Sequence, residues 1–133
     1  MSTERFQPDN PREWLVRAKS DLAIASTRIE GAIFEDLCFH AQQAVEKSLK
    51  ALLIHLKIPF PYVHNLAELV SRIEKAGQFI PSFVCESIRL TDYAVEARYP
   101  GVGEIVTEEE WQWALKLARE VVLWVEPLIS TET

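Results

Sequence analysis

Several residue types that mark particular protein classes are scarce in this chain of 133 residues. It has two cysteines, Cys38 and Cys85, which lie far apart and outside any CxxC or Cys/His cluster. Neither a disulfide framework nor a cysteine metal site is therefore expected, and the apolar neighbours of both cysteines predict buried free thiols. Glycine occurs only four times, which favours helices over turn-rich folds.

Long apolar runs and an excess of positive charge are also absent. No segment reaches the ~18 apolar residues of a membrane span, and the N-terminal segment lacks the apolar run of a signal peptide. The formal net charge is -6, whereas proteins that coat nucleic acid are usually basic. We therefore expect a cytoplasmic protein that neither enters a membrane nor coats DNA. A small basic pocket on an acidic body is compatible with this charge balance.

Helical periodicity and helix-end signals are present along most of the chain. Asn10, Asn65 and Thr107 are each suited to cap a helix, and each is followed three residues later by a glutamate. The predicted helices cover about residues 11–30, 34–56, 66–77, 82–96 and 108–126. Prolines follow the second helix and precede the fourth, and Pro127 is predicted to end the fifth.

No alternating strand pattern occurs, so the predicted fold is all-α. We expect an antiparallel up-and-down bundle of four long helices plus a short fifth. Residues 1–10 are predicted to form a flexible leader, residues 11–129 a single domain, and residues 130–133 a tail.

The second predicted helix contains the stretch HAQQAVEKSLKALLI, whose polar and apolar residues separate onto two sides. The apolar side predicts a core stripe of Leu37, Cys38, Ala41, Val45, Leu49, Leu52 and Leu56. The opposite side carries His40, Gln43, Glu46, Lys47 and Lys50. One interpretation is a solvated face with a Glu46–Lys50 pair worth about 0.3 kcal/mol. The other is an interface or ligand wall, which is favoured because Phe39 and Ile54 point toward the same polar side.

The last predicted helix has more apolar surface than one small core needs. Beside its main stripe lies a second apolar set, Trp113, Leu117 and Trp124. Either the helix is central in the bundle, or it meets another subunit. With the second interpretation, we predict a homodimer interface that includes Phe39, Ile54, Trp113, Leu117 and Trp124.

Three ordered segments, FHAQQAVEKSLKALLI, HNLAELV and ARYPG, give the chain a family likeness. Together with the first and last predicted helices, they resemble the HEPN domain family from about Trp14 to Leu128. The resemblance implies a small helical bundle that commonly dimerises. HEPN domains occur fused to nucleotidyltransferases, or as separate chains encoded beside a minimal nucleotidyltransferase, often as toxin–antitoxin pairs. The resemblance therefore also implies a minimal nucleotidyltransferase as a possible partner chain.

Some members of the family that the chain resembles are metal-independent ribonucleases. Their motif is an arginine followed, after four to six residues, by a histidine. In this sequence the three histidines, His40, His55 and His64, all precede Arg72, and no arginine has a histidine at that spacing. We therefore expect no catalytic residues of that type. The histidines also lack the HxxxH spacing of a metal site, so no metal or cofactor is expected.

The leading hypothesis is a non-catalytic HEPN-like protein that dimerises and binds a nucleotide, or partners a minimal nucleotidyltransferase. The candidate ligand residues for a nucleotide or RNA are His40, Gln43, Lys47, Lys50, His64, Arg98 and Tyr99. Arg98 offers a bidentate fork for a phosphate, although it could instead pair with a nearby glutamate. Tyr99 could stack on a base or fill the bundle end, and His64 could simply fasten its loop. Two alternatives are a ribonuclease toxin with a non-standard site around Arg98, and an interaction bundle without a ligand.

Overall fold

The computed structural model describes residues 7–62, 64–94 and 105–130, and every regular element in these ranges is helical. The all-α prediction is confirmed. The elements are α1 Pro11–Ala25, α2 Phe34–His55, α3 Leu66–Lys75, α4 Ser82–Ser87, a 3₁₀ helix Ile88–Ala94, and α5 Glu108–Ser130. Three helices have 15 residues or more, whereas α3 has 10 and α4 has 6.

The three predicted cap residues start their helices as expected. Asn10 Oδ1 accepts from the backbone N–H of Arg12 at 2.9 Å, and Asn65 Oδ1 accepts from that of Ala67 at the same distance. Thr107 Oγ1 accepts from the backbone N–H of Glu110 at 3.1 Å. These bonds satisfy donors that a helix start leaves unpaired.

Helix α2 is the central element, because it contacts α1, α3, the 3₁₀ helix and α5. The long helices α1 and α5 also contact each other. A buried hydrogen bond joins them, from Trp111 Nε1 to the carbonyl oxygen of Ala25 at 2.8 Å. Most residues of α2 are buried, and its leucines form the core with the inner faces of α3 and α5. Leu117 belongs to this core and is only 4% exposed, so the chain itself covers it without a second subunit.

Several helix ends differ from the predicted ones. Helix α1 ends at Ala25 rather than near residue 30, and the hydroxyls of Ser26 and Thr27 both donate to the carbonyl of Ala23. Such side-chain bonds compete with continuation of a helix. The fourth helix becomes 3₁₀ after Ser87, and residues 95 and 96 of its predicted range lie outside the described residues.

The prediction that α5 ends before Pro127 is wrong. The helix continues to Ser130 with Pro127 inside it. Proline lacks an N–H and its ring opposes the preceding turn, so the continuation needs compensation. Ile129, which follows the proline in the helix, is 2% exposed. Burial of its side chain contributes a favourable free energy that offsets the cost of the proline.

The two cysteines have different environments. Cys38 is buried in α2, and this burial, followed by the nearby negative charge of Glu110, raises the pKa of its thiol to about 12. Cys85 is exposed, so the prediction of a buried thiol there is wrong. Helix α4 is short and turns this residue away from the core, although its sequence neighbours are apolar. None of the described helices combines the length and hydropathy that crossing a membrane requires.

Candidate ligand groove on helix α2

The polar side of α2 is covered by other parts of the chain. Glu46 is 3% exposed and Lys50 is 4% exposed, and Gln42 is fully buried. Helix α1 packs along α2, and residues after α2 lie over its C-terminal half. The interpretation of this side as a solvated face with a surface ion pair is therefore wrong.

Glu46 is the acceptor at the centre of a group of four polar residues, which we term the Glu46 cluster. Its Oε2 accepts from Lys50 Nζ at 2.8 Å, and its Oε1 accepts from Gln42 Nε2 at 3.0 Å. His64 Nδ1 lies 2.9 Å from Oε1, and since an ionised carboxylate only accepts, this nitrogen carries the proton. Burial opposes ionisation, but the bonds from Lys50, Gln42 and His64 outweigh it and lower the pKa of Glu46.

The ammonium of Lys50 is surrounded by aromatic rings as well as by Glu46. The ring centroids of Trp14, Phe60 and Tyr62 lie 5.6, 5.8 and 5.5 Å from Nζ. These distances are within the range of cation–π attraction. Trp14 comes from α1 and the other two rings follow α2, so the arrangement exists only in the folded chain.

A second polar group, the Asp21 cluster, lies one turn away on the same side of α2. Asp21 of α1 is buried, and its Oδ2 accepts from Lys47 Nζ at 2.7 Å. Its Oδ1 is 2.8 Å from His40 Nδ1. Sequence reasoning missed Asp21, although one signal was available: a carboxylate sits directly beside the apolar stripe of the first helix.

These two clusters border an open groove, the α2 groove, with a volume of about 1060 Å³. One wall is α1 and the other is the segment 57–62, which Arg72 fixes by donating to the carbonyl of Pro59 at 2.9 Å. Trp14 is oriented by a 2.8 Å bond from its Nε1 to the carbonyl of Pro8. The lining residues are Pro8, Asp9, Trp14, Arg17, Gln43, Glu46, Lys47, Lys50, Ile54, Lys57, Ile58, Pro59, Phe60, Tyr62 and His64.

The groove contains a buried polar atom that lacks a partner. The side-chain oxygen Oε1 of Gln43 has no hydrogen-bond donor among the described residues. A buried acceptor without a donor is costly, by about 1–3 kcal/mol.

Four of the seven predicted ligand residues line this groove: Gln43, Lys47, Lys50 and His64. His40 does not line the groove, and its Nδ1 contacts Asp21 instead. Arg98 and Tyr99 lie outside the described residues. Whether the four bind a ligand stays a prediction.

The predicted interface residues have different environments. Ile54 lines the groove, and Phe39 lies against the ring of His40 with centroids 5.4 Å apart. Trp113 and Trp124 are half-buried against the core. Trp113 also donates from Nε1 to Glu86 at 3.1 Å, so part of its polar surface is used within the chain.

No group of three or more potential metal ligands occurs in the described ranges. The groove instead combines cations and aromatic rings. Such a combination can hold an anionic group beside a flat ring system.

The HEPN domain model matches residues 11–128 of this sequence. The chain belongs to the HEPN domain family. The family resemblance of its three ordered segments is thereby confirmed. No curated protein matches the chain.

Two solved structures share this HEPN fold. The crystal structure of TT1696 from Thermus thermophilus is 27% identical, with a TM-score of 0.75 over 88% of this chain and 96% of that chain. The crystal structure of ST0689, an archaeal HEPN homologue, is 24% identical, with a TM-score of 0.69 over 90% of this chain and 98% of that chain. The second likeness concerns the fold alone.

Proposed function

We propose that this HEPN protein is a binding module that holds a nucleoside phosphate, free or at an RNA end, in the α2 groove. The observation that carries the proposal is the buried ammonium of Lys50 among three aromatic rings. A buried cation is costly to maintain. Glu46 balances the charge of Lys50, so the rings beside Lys50 serve as stacking surfaces for a base, while the exposed cations that line the groove face the phosphate.

The ring of Tyr62 supports the base-binding part of this proposal. It is 94% exposed, although it lies above the Lys50 ammonium. A base stacked on an aromatic ring contributes about 1–3 kcal/mol.

The test is a calorimetric titration with AMP, GMP and a 5′-phosphorylated RNA tetranucleotide. We expect all three to bind, since each combines a phosphate with a base, and Tyr62→Ala to weaken their affinity about fivefold or more. Phe79→Ala is the matched control, because Phe79 is also an exposed aromatic residue, at 75%, but does not line the groove. Absence of binding by the wild-type protein, or equal weakening by both variants, would refute the proposal.

The RNA in this experiment also tests the ribonuclease alternative. We propose a non-catalytic protein, since the sequence lacks the arginine–histidine spacing and both His40 and His64 are held by carboxylates. The tetranucleotide should be recovered intact. Cleavage that Arg98→Ala abolishes would support the ribonuclease with a site around Arg98 instead.

We also propose a homodimer that partners a minimal nucleotidyltransferase as a toxin–antitoxin type module. Two exposed apolar residues, Val16 on α1 and Leu123 on α5, offer surface for such contacts. Light scattering should show a dimer at micromolar concentration, which Leu123→Lys weakens and Phe79→Lys does not. A monomer at every concentration would refute the proposed dimer. Co-purification with a minimal nucleotidyltransferase encoded beside the gene tests the partner.

A further inference from the structure

The backbone at the end of α2 has an unusual conformation at Lys57. This residue has a φ of 61°, in the left-handed region. The N–H of Ile58 donates to the carbonyl of Leu53 at 2.9 Å, and the N–H of Lys57 donates to that of Ile54 at 3.0 Å. This pair of bonds is a Schellman motif, and Lys57 occupies the position where glycine is preferred.

Lysine at this position is unfavourable for the backbone, because its Cβ crowds the carbonyl in a left-handed conformation. The chain uses glycine at comparable left-handed positions, Gly31 with a φ of 88° and Gly77 with a φ of 97°. Residues that retain an unfavourable conformation cluster at functional sites. Lys57 is also an exposed residue in the lining of the α2 groove.

The other cations of the groove already have carboxylate partners. Lys50 pairs with Glu46 at 2.8 Å, Lys47 pairs with Asp21 at 2.7 Å, and the guanidinium of Arg17 lies 3.7 Å from Glu13. Within the described parts of the chain, no carboxylate lies within ion-pair distance of the Lys57 ammonium. A ligand anion can therefore contact Lys57 without breaking an existing ion pair.

We propose that Lys57 is the residue that contacts the phosphate of the ligand in the α2 groove. This inference rests on the proposed nucleoside-phosphate function. The C-terminal turn of α2 positions the ammonium at the rim, while Tyr62 and the rings around Lys50 take the base. The phosphate displaces water from Lys57, and the Glu46 cluster and Asp21 cluster stay intact.

One substitution, Lys57→Gly, should weaken ligand binding without lowering the stability of the fold. Lys57→Gly removes the ammonium but relieves the left-handed backbone. We expect its affinity for AMP to fall about fivefold, while its thermal midpoint stays at or above that of the wild type. We also expect a shallower salt dependence of binding, by about one charge. Lys57→Arg keeps the charge and should bind within about twofold of the wild type.

The matched control is Lys75→Gln, since Lys75 is an exposed lysine at the end of α3 and does not line the groove. It should bind AMP as the wild type does. If Lys57→Gly binds AMP with unchanged affinity and salt dependence, the inference is overturned while the proposed function stands. Equal weakening by Lys75→Gln would overturn it too, since the effect would then be one of net charge. A wild-type protein that binds no nucleoside phosphate would overturn both.

Discussion

Removal of the Glu46 carboxylate should destabilise this protein far more than the spacing of its ion pair suggests. Glu46 and Lys50 are four residues apart on one helix, and exposed pairs at that spacing contribute about 0.2–0.5 kcal/mol. Here the two side chains are 3% and 6% exposed. Glu46→Gln keeps a similar shape but leaves the ammonium buried without a counter-charge, which costs about 3–5 kcal/mol.

The three rings near Lys50 reduce this cost but do not remove it. Cation–π attraction amounts to about 0.5–2 kcal/mol and is already present in the wild type. We therefore expect a loss near the lower end of the range, about 3 kcal/mol. With a urea m-value of about 2 kcal/mol/M, the unfolding midpoint should fall by about 1.5 M. Urea unfolding followed by circular dichroism at neutral pH measures this.

Helix α3 offers a matched control with the same spacing. Arg72 and Glu68 form an i,i+4 pair at 2.6 Å, but their side chains are 36% and 42% exposed. Glu68→Gln should cost about 0.5 kcal/mol or less. In the double variant Glu46→Gln/Lys50→Met the buried charge is gone, so most of the lost stability should return. If Glu46→Gln costs no more than Glu68→Gln, the reasoning on burial is wrong.

Three further predictions concern stability. The folded-state pKa of Glu46 is lowered from 4.5, so its ionised form stabilises the fold above that pH and this contribution is lost as the pH falls through the folded value. The urea midpoint of the wild type should thus fall more steeply below about pH 4.5 than that of Glu46→Gln, and parallel profiles would contradict this. Pro127→Ala should stabilise by about 1–2 kcal/mol in urea unfolding, because it restores an N–H within the last turn of α5; a loss of stability would show that the proline ring makes a needed contact. Trp111→Phe leaves the buried Ala25 carbonyl without its donor and should cost about 1–3 kcal/mol, measured in the same way, whereas Trp124→Phe should cost less because Trp124 is half-buried.

Local signals made much of the fold predictable from the sequence. A cap residue acts on the N–H groups two or three positions later, so Asn10, Asn65 and Thr107 could be recognised without the rest of the chain. The glutamates predicted to complete these caps interact elsewhere: Glu13 with Arg17, and Glu110 with Tyr93. Arg17 and Tyr93 are donors that compete with the backbone N–H of the cap residue for these carboxylates, and spacing alone does not rank such donors.

The candidate groove was predicted only in part. Gln43, Lys47, Lys50 and His64 were selected from the polar side of one helix and from the loop before α3, and all four line the groove. Asp21 was missed because its partner Lys47 lies 26 positions away along the chain, and Gln42 was missed because its full burial depends on what covers α2. Lys57 was missed because no sequence signal near it predicts a left-handed backbone conformation at a lysine.

By itself, the sequence determined which segments become helices, which side of each helix is apolar, and membership of the HEPN family. The reason is that these three properties depend on the spacing of nearby residues and on the order of short motifs. Only the tertiary structure decided that Glu46 and Lys50, on the polar side of α2, are buried. The reason is that burial depends on what covers a side chain, and here the cover comes from α1 and from the segment 57–62. The same glutamate–lysine pair would be a weak surface contact on an isolated helix, and in this fold it becomes a charged centre beneath an aromatic groove.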